Sequence, residues 1–259
     1  MRNRSVGPIL LLIEALAFII VAQSAGQTGS EKAHPPDISG VWSRRAARTA
    51  LDGGPTRPDF LSDTKKTEPP MTPWAKAKYK EIRTSYLSGP TGYMNDPVFA
   101  CMPPGVPRVY SIDFDGVMEL IQLPDRVLQI FEFDHHIRQI FTDGRGHDDN
   151  QPPTWMGDSI GKWEGDTLVV DTTGFNDKTR LDRMGHPHTE ALHLLERFRR
   201  IDHDTLGIDI TIDDPKAYTK PWGGTLTYGL KPGWKVMEFM CQDNHTFDDF
   251  REESVKPTK

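Results

Sequence analysis

The chain has 259 residues, with 31 Lys and Arg against 37 Asp and Glu, and a formal net charge of −6. Nucleic-acid binding depends on phosphate neutralisation, so an acidic chain without a basic stripe excludes that class of partner. The length predicts one large domain that can bury a core.

The first 26 residues are predicted to be a secretory signal peptide. Arg2 and Arg4 precede an apolar run over residues 9–22 that only Glu14 interrupts, and small residues follow that run. Cleavage would remove two positive charges and one negative charge, which gives −6 − 2 + 1 = −7 for the mature chain. An uncleaved membrane anchor is the alternative, but the run is shorter than the ~20 apolar residues that a span needs. We therefore expect a periplasmic or secreted protein without a stable membrane anchor.

Residues 27–110 are predicted to form an irregular arm that packs on the main domain. Pro, Gly, Ser, Thr and charged residues dominate residues 27–70, apart from the short strand candidate Ile38–Trp42. A helix is expected to begin at Pro73, because Thr72 can cap it and Pro fits the first helical position. Helix formers follow, so the arm is expected to contain one short helix.

The remaining residues, 111–259, have the alternation and turn spacing of a β domain. Nine short runs are separated by Pro, Gly, Asp and Asn: Val117–Leu123, Val127–Phe133, Ile137–Phe141, Ser159–Trp163, Thr167–Thr172, Leu192–Ile201, Thr205–Ile212, Gly224–Leu230 and Lys235–Met240. Glu164-Gly165-Asp166 is predicted to form a tight hairpin turn. Leu192–Ile201 also satisfies helical spacing, and we favour a strand because a period-two run follows it at hairpin distance.

This pattern predicts a mainly β fold, an antiparallel calycin or lipocalin-like barrel with an irregular N-terminal arm and one short helix. Successive hairpins with a polar inner face fit a lumen that holds a ligand. A two-sheet β-sandwich is the alternative architecture.

The chain contains two cysteines, Cys101 and Cys241. In an exported protein they could form one long-range disulfide or remain two buried thiols. A two-Cys metal site is disfavoured because the closely spaced Cys pair of such sites is absent from the sequence.

Two segments carry a resemblance to a known group of proteins. They are Thr154–Phe175, which reads TWMGDSIGKWEGDTLVVDTTGF, and Leu181–Glu190, which reads LDRMGHPHTE. These segments are similar to an uncharacterised family of exported bacterial β-rich proteins, and the likeness extends from Ile38 to Tyr218. Ile38–Trp42 also resembles the Gly-x-Trp opening of lipocalin-like barrels. The resemblance implies an exported β-rich fold but no particular reaction.

The candidate site is a set of titratable side chains near the ends of predicted strands. His186 and His188 are two residues apart, so in an extended segment both rings would project to the same side, and Glu190 would continue that row. The candidate catalytic residues, imidazoles that transfer protons and carboxylates that orient them, are His135, His186, His188, Glu190 and Asp143. The candidate substrate-binding residues, which could hold an anion or stack on a ring, are Arg138, Arg145, His147, Trp155 and Arg197.

This constellation favours an exported enzyme that acts on a small polar or aromatic molecule by His/carboxylate acid–base catalysis, of the lyase or isomerase type. That hypothesis needs no cofactor, and its partner is a small-molecule substrate. A non-catalytic periplasmic barrel that binds a small-molecule ligand is the first alternative. The second is a metal-dependent hydrolase, in which a divalent ion such as Zn would be held by His186, His188, Glu190 and His135.

Overall fold

The computed structural model describes residues 35–44, 68–88, 96–112 and 116–243. The predicted signal peptide, residues 1–26, lies outside these ranges. The described residues form nine β-strands, one α-helix and several short 3₁₀ turns. Within them, no helix has the length and apolar character that crossing a bilayer requires.

The strands and the helix follow the predicted order closely. Their bounds are β1 (Gly40–Arg44), α1 (Pro73–Ser88), β2 (Met118–Gln122), β3 (Arg126–Phe131), β4 (Ile137–Phe141), β5 (Asp158–Glu164), β6 (Thr167–Thr173), β7 (His193–Asp202), β8 (Thr205–Asp213) and β9 (Trp222–Leu230). The ambiguous run at 192–201 is strand β7, as predicted.

One predicted strand, Lys235–Met240, is wrong, because this segment forms no ladder with a neighbouring strand. Its backbone bonds instead to the turn after β3. The Met237 N–H donates to the Glu132 carboxylate at 3.0 Å, and the Phe239 carbonyl accepts from the Asp134 N–H at 3.0 Å. Side-chain and turn partners have therefore replaced the strand pairing that the alternation suggested.

The nine strands close into a barrel, so the predicted mainly β barrel is confirmed. Apart from β4 and β5, strands adjacent in the chain pair antiparallel, and β1 also pairs antiparallel with β9, with Trp42 opposite Leu230. The barrel differs from a wholly antiparallel one at β4 and β5, which pair in parallel. A parallel pair needs a long crossover in place of a tight hairpin, and residues 142–157 provide it.

The segment that contains β1 contributes directly to the barrel wall. Trp42 is fully buried, and its indole N–H donates to the Ile38 carbonyl at 3.1 Å. Farther along, the 3₁₀ turn Arg108–Ser111 sends the fully buried Tyr110 to side chains of the barrel interior. Strand β1 therefore belongs to the barrel wall, and the Arg108–Ser111 turn supplies a side chain to the barrel interior.

The interior of the barrel contains a charged network among apolar side chains. Arg138 on β4 forms an ion pair with Glu196 on β7, and both side chains are almost completely buried. Tyr110 donates its hydroxyl to Glu196 at 2.7 Å, and Arg138 donates to Ser159 at 3.0 Å and to Thr172 at 2.8 Å. Burial and the neighbouring Glu196 charge raise the pKa of Tyr110, so its phenol stays protonated as a donor.

Helix α1 begins as predicted and is tied to the barrel at its start. The Thr72 hydroxyl accepts from the Ala75 N–H at 3.3 Å, which caps the first turn. The Thr72 N–H donates to the Ala217 carbonyl at 2.8 Å, and Met71 pairs with Tyr218. These contacts place α1 beside the segment that leads into β9.

The two cysteines form the disulfide Cys101–Cys241, across a sequence separation of 140. Next to it, the Cys241 N–H donates to the Asp134 carboxylate at 2.7 Å. The bond links the loop before the Arg108–Ser111 turn to the segment after β9.

Candidate functional site

The connection between β6 and β7, residues 174–192, carries the densest group of buried polar side chains near a surface groove. It is not a strand but a loop that folds back on itself, since the Leu181 N–H donates to the His186 carbonyl at 2.9 Å. The Tyr218 hydroxyl donates to the Pro187 carbonyl at 2.7 Å. The strand alternation that would align His186, His188 and Glu190 therefore does not apply here.

His186 lies in this connection as the partner of a buried carboxylate. Its Nδ1 is 2.5 Å from Oδ2 of Asp182, whose Oδ1 accepts from the backbone N–H groups of Gly185 and His186. Although burial opposes ionisation, the interactions with His186 lower the pKa of Asp182. Asp182 is therefore a carboxylate, and Nδ1 of His186 is the donor. The ring stacks on Tyr79 of α1 with centroids 4.6 Å apart, and it meets Trp222 edge-on.

His188 lies two residues farther on, with different partners. Burial lowers the pKa of His188, so its imidazole is neutral near pH 7. Nδ1 is 3.1 Å from the Thr189 carbonyl, which can only accept, so Nδ1 carries the proton. Nε2 must then accept, and the Thr179 hydroxyl donates to it at 2.6 Å. Thr179 and His188 thus form a hydroxyl–imidazole pair in which the imidazole tautomer is fixed.

Thr189, whose carbonyl fixes this tautomer, is itself held in place by a buried carboxylate. Asp214, fully buried after β8, accepts from the Thr189 N–H at 2.6 Å and from the Thr189 hydroxyl at 3.0 Å. The same carboxylate accepts from the N–H groups of Lys216 and Ala217. Asp214 thereby joins the His188 loop to the segment that also contacts the start of α1.

A groove of about 370 Å³ lies along the pair, with walls from α1 and from the β6–β7 connection. Thr179 and His188 line it, together with Arg180 from the same connection and with Trp74 and Lys78 from α1. The volume is that of a small-molecule site, which spans roughly 300 to 1,000 Å³. The groove lies outside the packed barrel interior described above.

Two predicted catalytic residues, His135 and Asp143, lie on other elements, and a third, Glu190, is exposed within the same connection. His135 is in a 3₁₀ turn between β3 and β4, with Nε2 3.1 Å from the Met237 carbonyl. Asp143 is exposed in the β4–β5 crossover and forms an ion pair with Arg145 at 2.6 Å. Hydrogen bonds from Arg145 lower the pKa of Asp143 to about 2. Glu190 is exposed at the end of the β6–β7 connection.

The predicted arginines are also dispersed. Arg138 is buried in the barrel interior against Glu196, as described above. Arg145 lies over the Phe141 ring, 3.8 Å from its centroid. Arg197 is exposed on the outer face of β7 and pairs with Glu164 at 3.3 Å. None of these three side chains lines the groove beside His188.

His147 and Trp155 occupy the crossover between β4 and β5. His147 bridges two carboxylates on the outer wall, with Nδ1 2.9 Å from Asp158 and Nε2 3.0 Å from Asp171. Partial burial disfavours its charged form, but the hydrogen bonds to these carboxylates raise the pKa of His147 overall. Trp155 is half-buried, and the Lys178 ammonium lies 5.9 Å from its ring centroid.

Among the predicted residues, His186 and His188 are both buried in the β6–β7 connection, but they have separate partners and of the two only His188 lines the groove. The structure adds partners that the sequence analysis did not select. These are Thr179, Asp182 and Asp214, each within hydrogen-bonding distance of a histidine or of the residue that positions it. A local signal was present for two of them. Asp182 precedes His186 by four residues and Thr179 precedes His188 by nine, in one short polar stretch.

Neither a metal centre nor a relative identifies the site. Across residues 35–44, 68–88, 96–112 and 116–243, no three His, Cys, Asp or Glu side chains form a group suited to a metal ion. No protein-family model matches the chain, and no curated protein matches it significantly.

Proposed function

We propose that this protein is an exported enzyme of the lyase or isomerase type, which acts on a small polar or aromatic molecule in the groove beside α1. His188 is the general base, and Thr179 relays the proton from a substrate hydroxyl. The observation that carries the proposal is the 2.6 Å contact between the Thr179 hydroxyl and Nε2 of a neutral His188 at the groove wall. A base must lie within hydrogen-bonding reach of the proton it removes.

The proposed step balances protons and electrons without a co-reactant. A substrate hydroxyl passes its proton to Oγ1 of Thr179, while the proton of Thr179 moves to Nε2 of His188. The C–C bond beside the new alkoxide breaks, a carbonyl forms, and the electron pair of the broken bond stays on the departing carbon. The imidazolium returns its proton through Thr179 to that carbon. The transfer between Thr179 and His188 uses their 2.6 Å contact, and the Thr189 carbonyl holds the other imidazole proton on Nδ1.

The groove also contains the carboxylate that the acid–base hypothesis requires. Asp177 lines the groove, and its charge favours the protonated form of His188, in opposition to the larger effect of burial. Asp177 is thus placed to stabilise the imidazolium that forms during the reaction. We assign it the role that the sequence analysis gave to Glu190 and Asp143.

The family resemblance and the calycin type of the barrel belong to the same proposal. Two features support the calycin assignment: the barrel is closed, and Trp42 of the Gly-x-Trp opening is buried in a strand of its wall. The exported location rests on the predicted signal peptide alone.

The test uses β-hydroxy acids, amides and ketones in D₂O, followed by ¹H NMR. Retro-aldol cleavage by the dyad should release a carbonyl product and place deuterium on the departing carbon. We expect His188→Gln to lower the rate by about 100-fold or more and Thr179→Val by about 10-fold or more. The exposed His203→Gln is the matched control, and it should react as the unmodified protein does.

Either of two results would overturn the proposal. One is that no compound of this panel is cleaved, and the other is that His188→Gln cleaves as fast as the unmodified protein. Retained groove binding without any cleavage would favour the non-catalytic binding protein.

A further inference from the structure

One wall of the groove is a single face of helix α1. Trp74, Lys78 and Ile82 line the groove at intervals of four residues, a spacing that puts them on one side of a helix. Trp74 is 47% exposed, and an exposed indole offers a flat apolar face on which a planar ring can stack. Pro97 and Pro187 add further apolar lining. This part of the groove is therefore suited to an apolar planar group.

The opposite wall offers a hydrogen-bond acceptor. Thr179 and His188 line the groove and are 8% and 3% exposed. The hydrogen of the Thr179 hydroxyl is committed to Nε2 of His188, at 2.6 Å. A threonine oxygen still has lone pairs when its hydrogen is donated, so Thr179 can accept from a ligand. A ligand group that meets Thr179 must therefore be a donor, and a hydroxyl is the donor on which the proposed reaction begins.

The charged side chains of the groove do not call for a charged ligand. Both carboxylate oxygens of Glu81 accept from the Lys78 ammonium, at 3.1 and 3.2 Å. Arg180 already has an interaction within the protein. Asp177 and Lys178 are adjacent in the chain, opposite in charge and exposed to water, which screens them. An ionic ligand would lose hydration here without gaining a dedicated counter-charge, so the lining favours an uncharged ligand.

We propose that the groove recognises an uncharged alcohol that bears an aromatic ring, an inference that rests on the proposed function for the role of the hydroxyl. The ring lies against Trp74, and the hydroxyl donates to Thr179. Within the proposed reaction, the substrate class is therefore a neutral aromatic β-hydroxy ketone, and Trp74 determines the preference for the ring.

An NMR titration of the protein with benzyl alcohol tests this inference, because benzyl alcohol has the ring and the hydroxyl but no carbonyl group that would permit cleavage. Benzyl methyl ether lacks the donor, and cyclohexylmethanol lacks the planar ring. We expect benzyl alcohol to bind at least about threefold more tightly than either analogue, since each analogue loses one contact. Mandelate, which is benzyl alcohol with an added carboxylate, should bind no more tightly than benzyl alcohol.

Two variants each remove one of the two contacts. Trp74→Ala should bind benzyl alcohol and cyclohexylmethanol equally, because the face on which the ring stacks is gone. Thr179→Val keeps the shape of the side chain without the hydroxyl, and it should bind benzyl alcohol and its methyl ether equally. If Thr179→Val does not fold, the comparison of the alcohol with the ether in the unmodified protein still tests the hydroxyl contact.

Trp234→Ala is the matched control, because Trp234 is 51% exposed and does not line the groove. It should bind benzyl alcohol as the unmodified protein does. Any one of five results would overturn the inference: equal affinity for the alcohol and the ether, equal affinity for benzyl alcohol and cyclohexylmethanol, unchanged benzyl alcohol affinity in Trp74→Ala, tighter binding of mandelate, or absence of saturable binding.

The binding test and the cleavage test fail independently. Selective binding of benzyl alcohol by a protein that cleaves none of the β-hydroxy compounds would overturn the enzyme proposal and leave the ligand class standing. Cleavage of β-hydroxy ketones without preference for an aromatic ring over an alkyl group would do the reverse.

Discussion

Arg138 and Glu196 lie 58 positions apart in the sequence and form an ion pair inside the barrel, where their side chains are 1% and 0% exposed. Around them, Tyr110, Ser159 and Thr172 each share a hydrogen bond with the guanidinium. Desolvation makes such a pair costly to break, because the remaining partner is left as an uncompensated buried charge.

Glu196→Gln should therefore destabilise the protein strongly. The amide keeps the shape of the side chain but leaves the Arg138 guanidinium without its counter-charge. We expect the free energy of unfolding to fall by about 3–5 kcal/mol, measured by urea denaturation. Arg197→Gln, which breaks the exposed pair with Glu164, is the control and should cost about 1 kcal/mol or less.

If Glu196→Gln does not fold, the double variant Arg138→Met/Glu196→Leu keeps this prediction testable. It removes both charges at once and should recover a folded barrel, because an apolar pair can replace a buried ion pair of similar volume. Stability equal to that of the unmodified protein in Glu196→Gln would contradict our account of the barrel interior.

Gly185 sets the distance between the β6–β7 connection and α1. Its φ is +91°, and a Cβ at this position would lie 2.6 Å from Cγ2 of Ile82 on the helix. Gly185→Ala should therefore combine backbone strain with a steric clash. Gly144→Ala is the matched control, because Gly144 has φ +85° but no atom within 4 Å of the added carbon.

We expect Gly144→Ala to lower the free energy of unfolding by about 1–2 kcal/mol through strain alone. Gly185→Ala should exceed that loss by about 1–3 kcal/mol through overpacking against α1. Equal losses in the two variants would show that the helix yields freely at Ile82. Urea denaturation of both variants provides the comparison.

His147 should make the stability of the outer wall depend on pH. Its pKa is raised in the folded protein, chiefly because the hydrogen bonds to Asp158 and Asp171 outweigh partial burial. A histidine whose pKa is higher in the folded than in the unfolded protein stabilises the folded state while it is protonated. This stabilisation is complete below the pKa of the unfolded state and is lost as the pH rises through the pKa of the folded state. The stability difference between the unmodified protein and His147→Gln should thus be larger at about pH 6 than at about pH 9.

The control for this prediction removes the cause of the pKa shift. Asp158→Asn/Asp171→Asn abolishes both carboxylates around His147 and should flatten the dependence on pH. The free energy of unfolding of each variant, measured across the same pH series, tests this prediction. A stability difference between the unmodified protein and His147→Gln that grew toward alkaline pH would contradict it.

The disulfide Cys101–Cys241 closes a loop that spans 140 positions. It should stabilise the protein mainly by reducing the conformational entropy of the unfolded chain. Cys101→Ser/Cys241→Ser is expected to lower the free energy of unfolding by about 2–4 kcal/mol. A reductant should bring the unmodified protein to the same level and leave the variant unchanged. Insensitivity of the unmodified protein to reduction, once free thiols are confirmed, would rule out this contribution.

Most strands of the barrel could be predicted from local sequence, because each strand has its own alternation of apolar and polar residues and each turn its characteristic residue types. Gly165 has φ +63° in the predicted Glu164–Asp166 hairpin, and Thr72 caps α1 as its position suggested. The parallel pairing of β4 and β5 was not predictable in this way. It depends on where the β4–β5 crossover runs, and residue type in residues 142–157 does not encode that path.

The candidate site was harder to predict, because its contacts depend on how loops fold and on how the barrel closes. Arg138 was expected to bind substrate, yet closure places it beside Glu196 from a strand far along the chain. His186 and His188 lie in the same connection, but their distinct partners, Asp182 and Thr179, follow from the folded-back connection and not from any strand period. Periodicity assigns a residue to a face of a strand. It does not identify the partner that the residue meets across a closed barrel.

The pairing of β1 with β9 has a consequence for biosynthesis. Residue 42 leaves the ribosome early and residue 230 late, yet Trp42 and Leu230 must meet before the ring is complete. Until then the nascent sheet has two unpaired borders, which are the features that recruit other chains into aggregates. The growing polypeptide is thus most vulnerable just before its last strand emerges, and a chaperone that shields these borders would act in that interval.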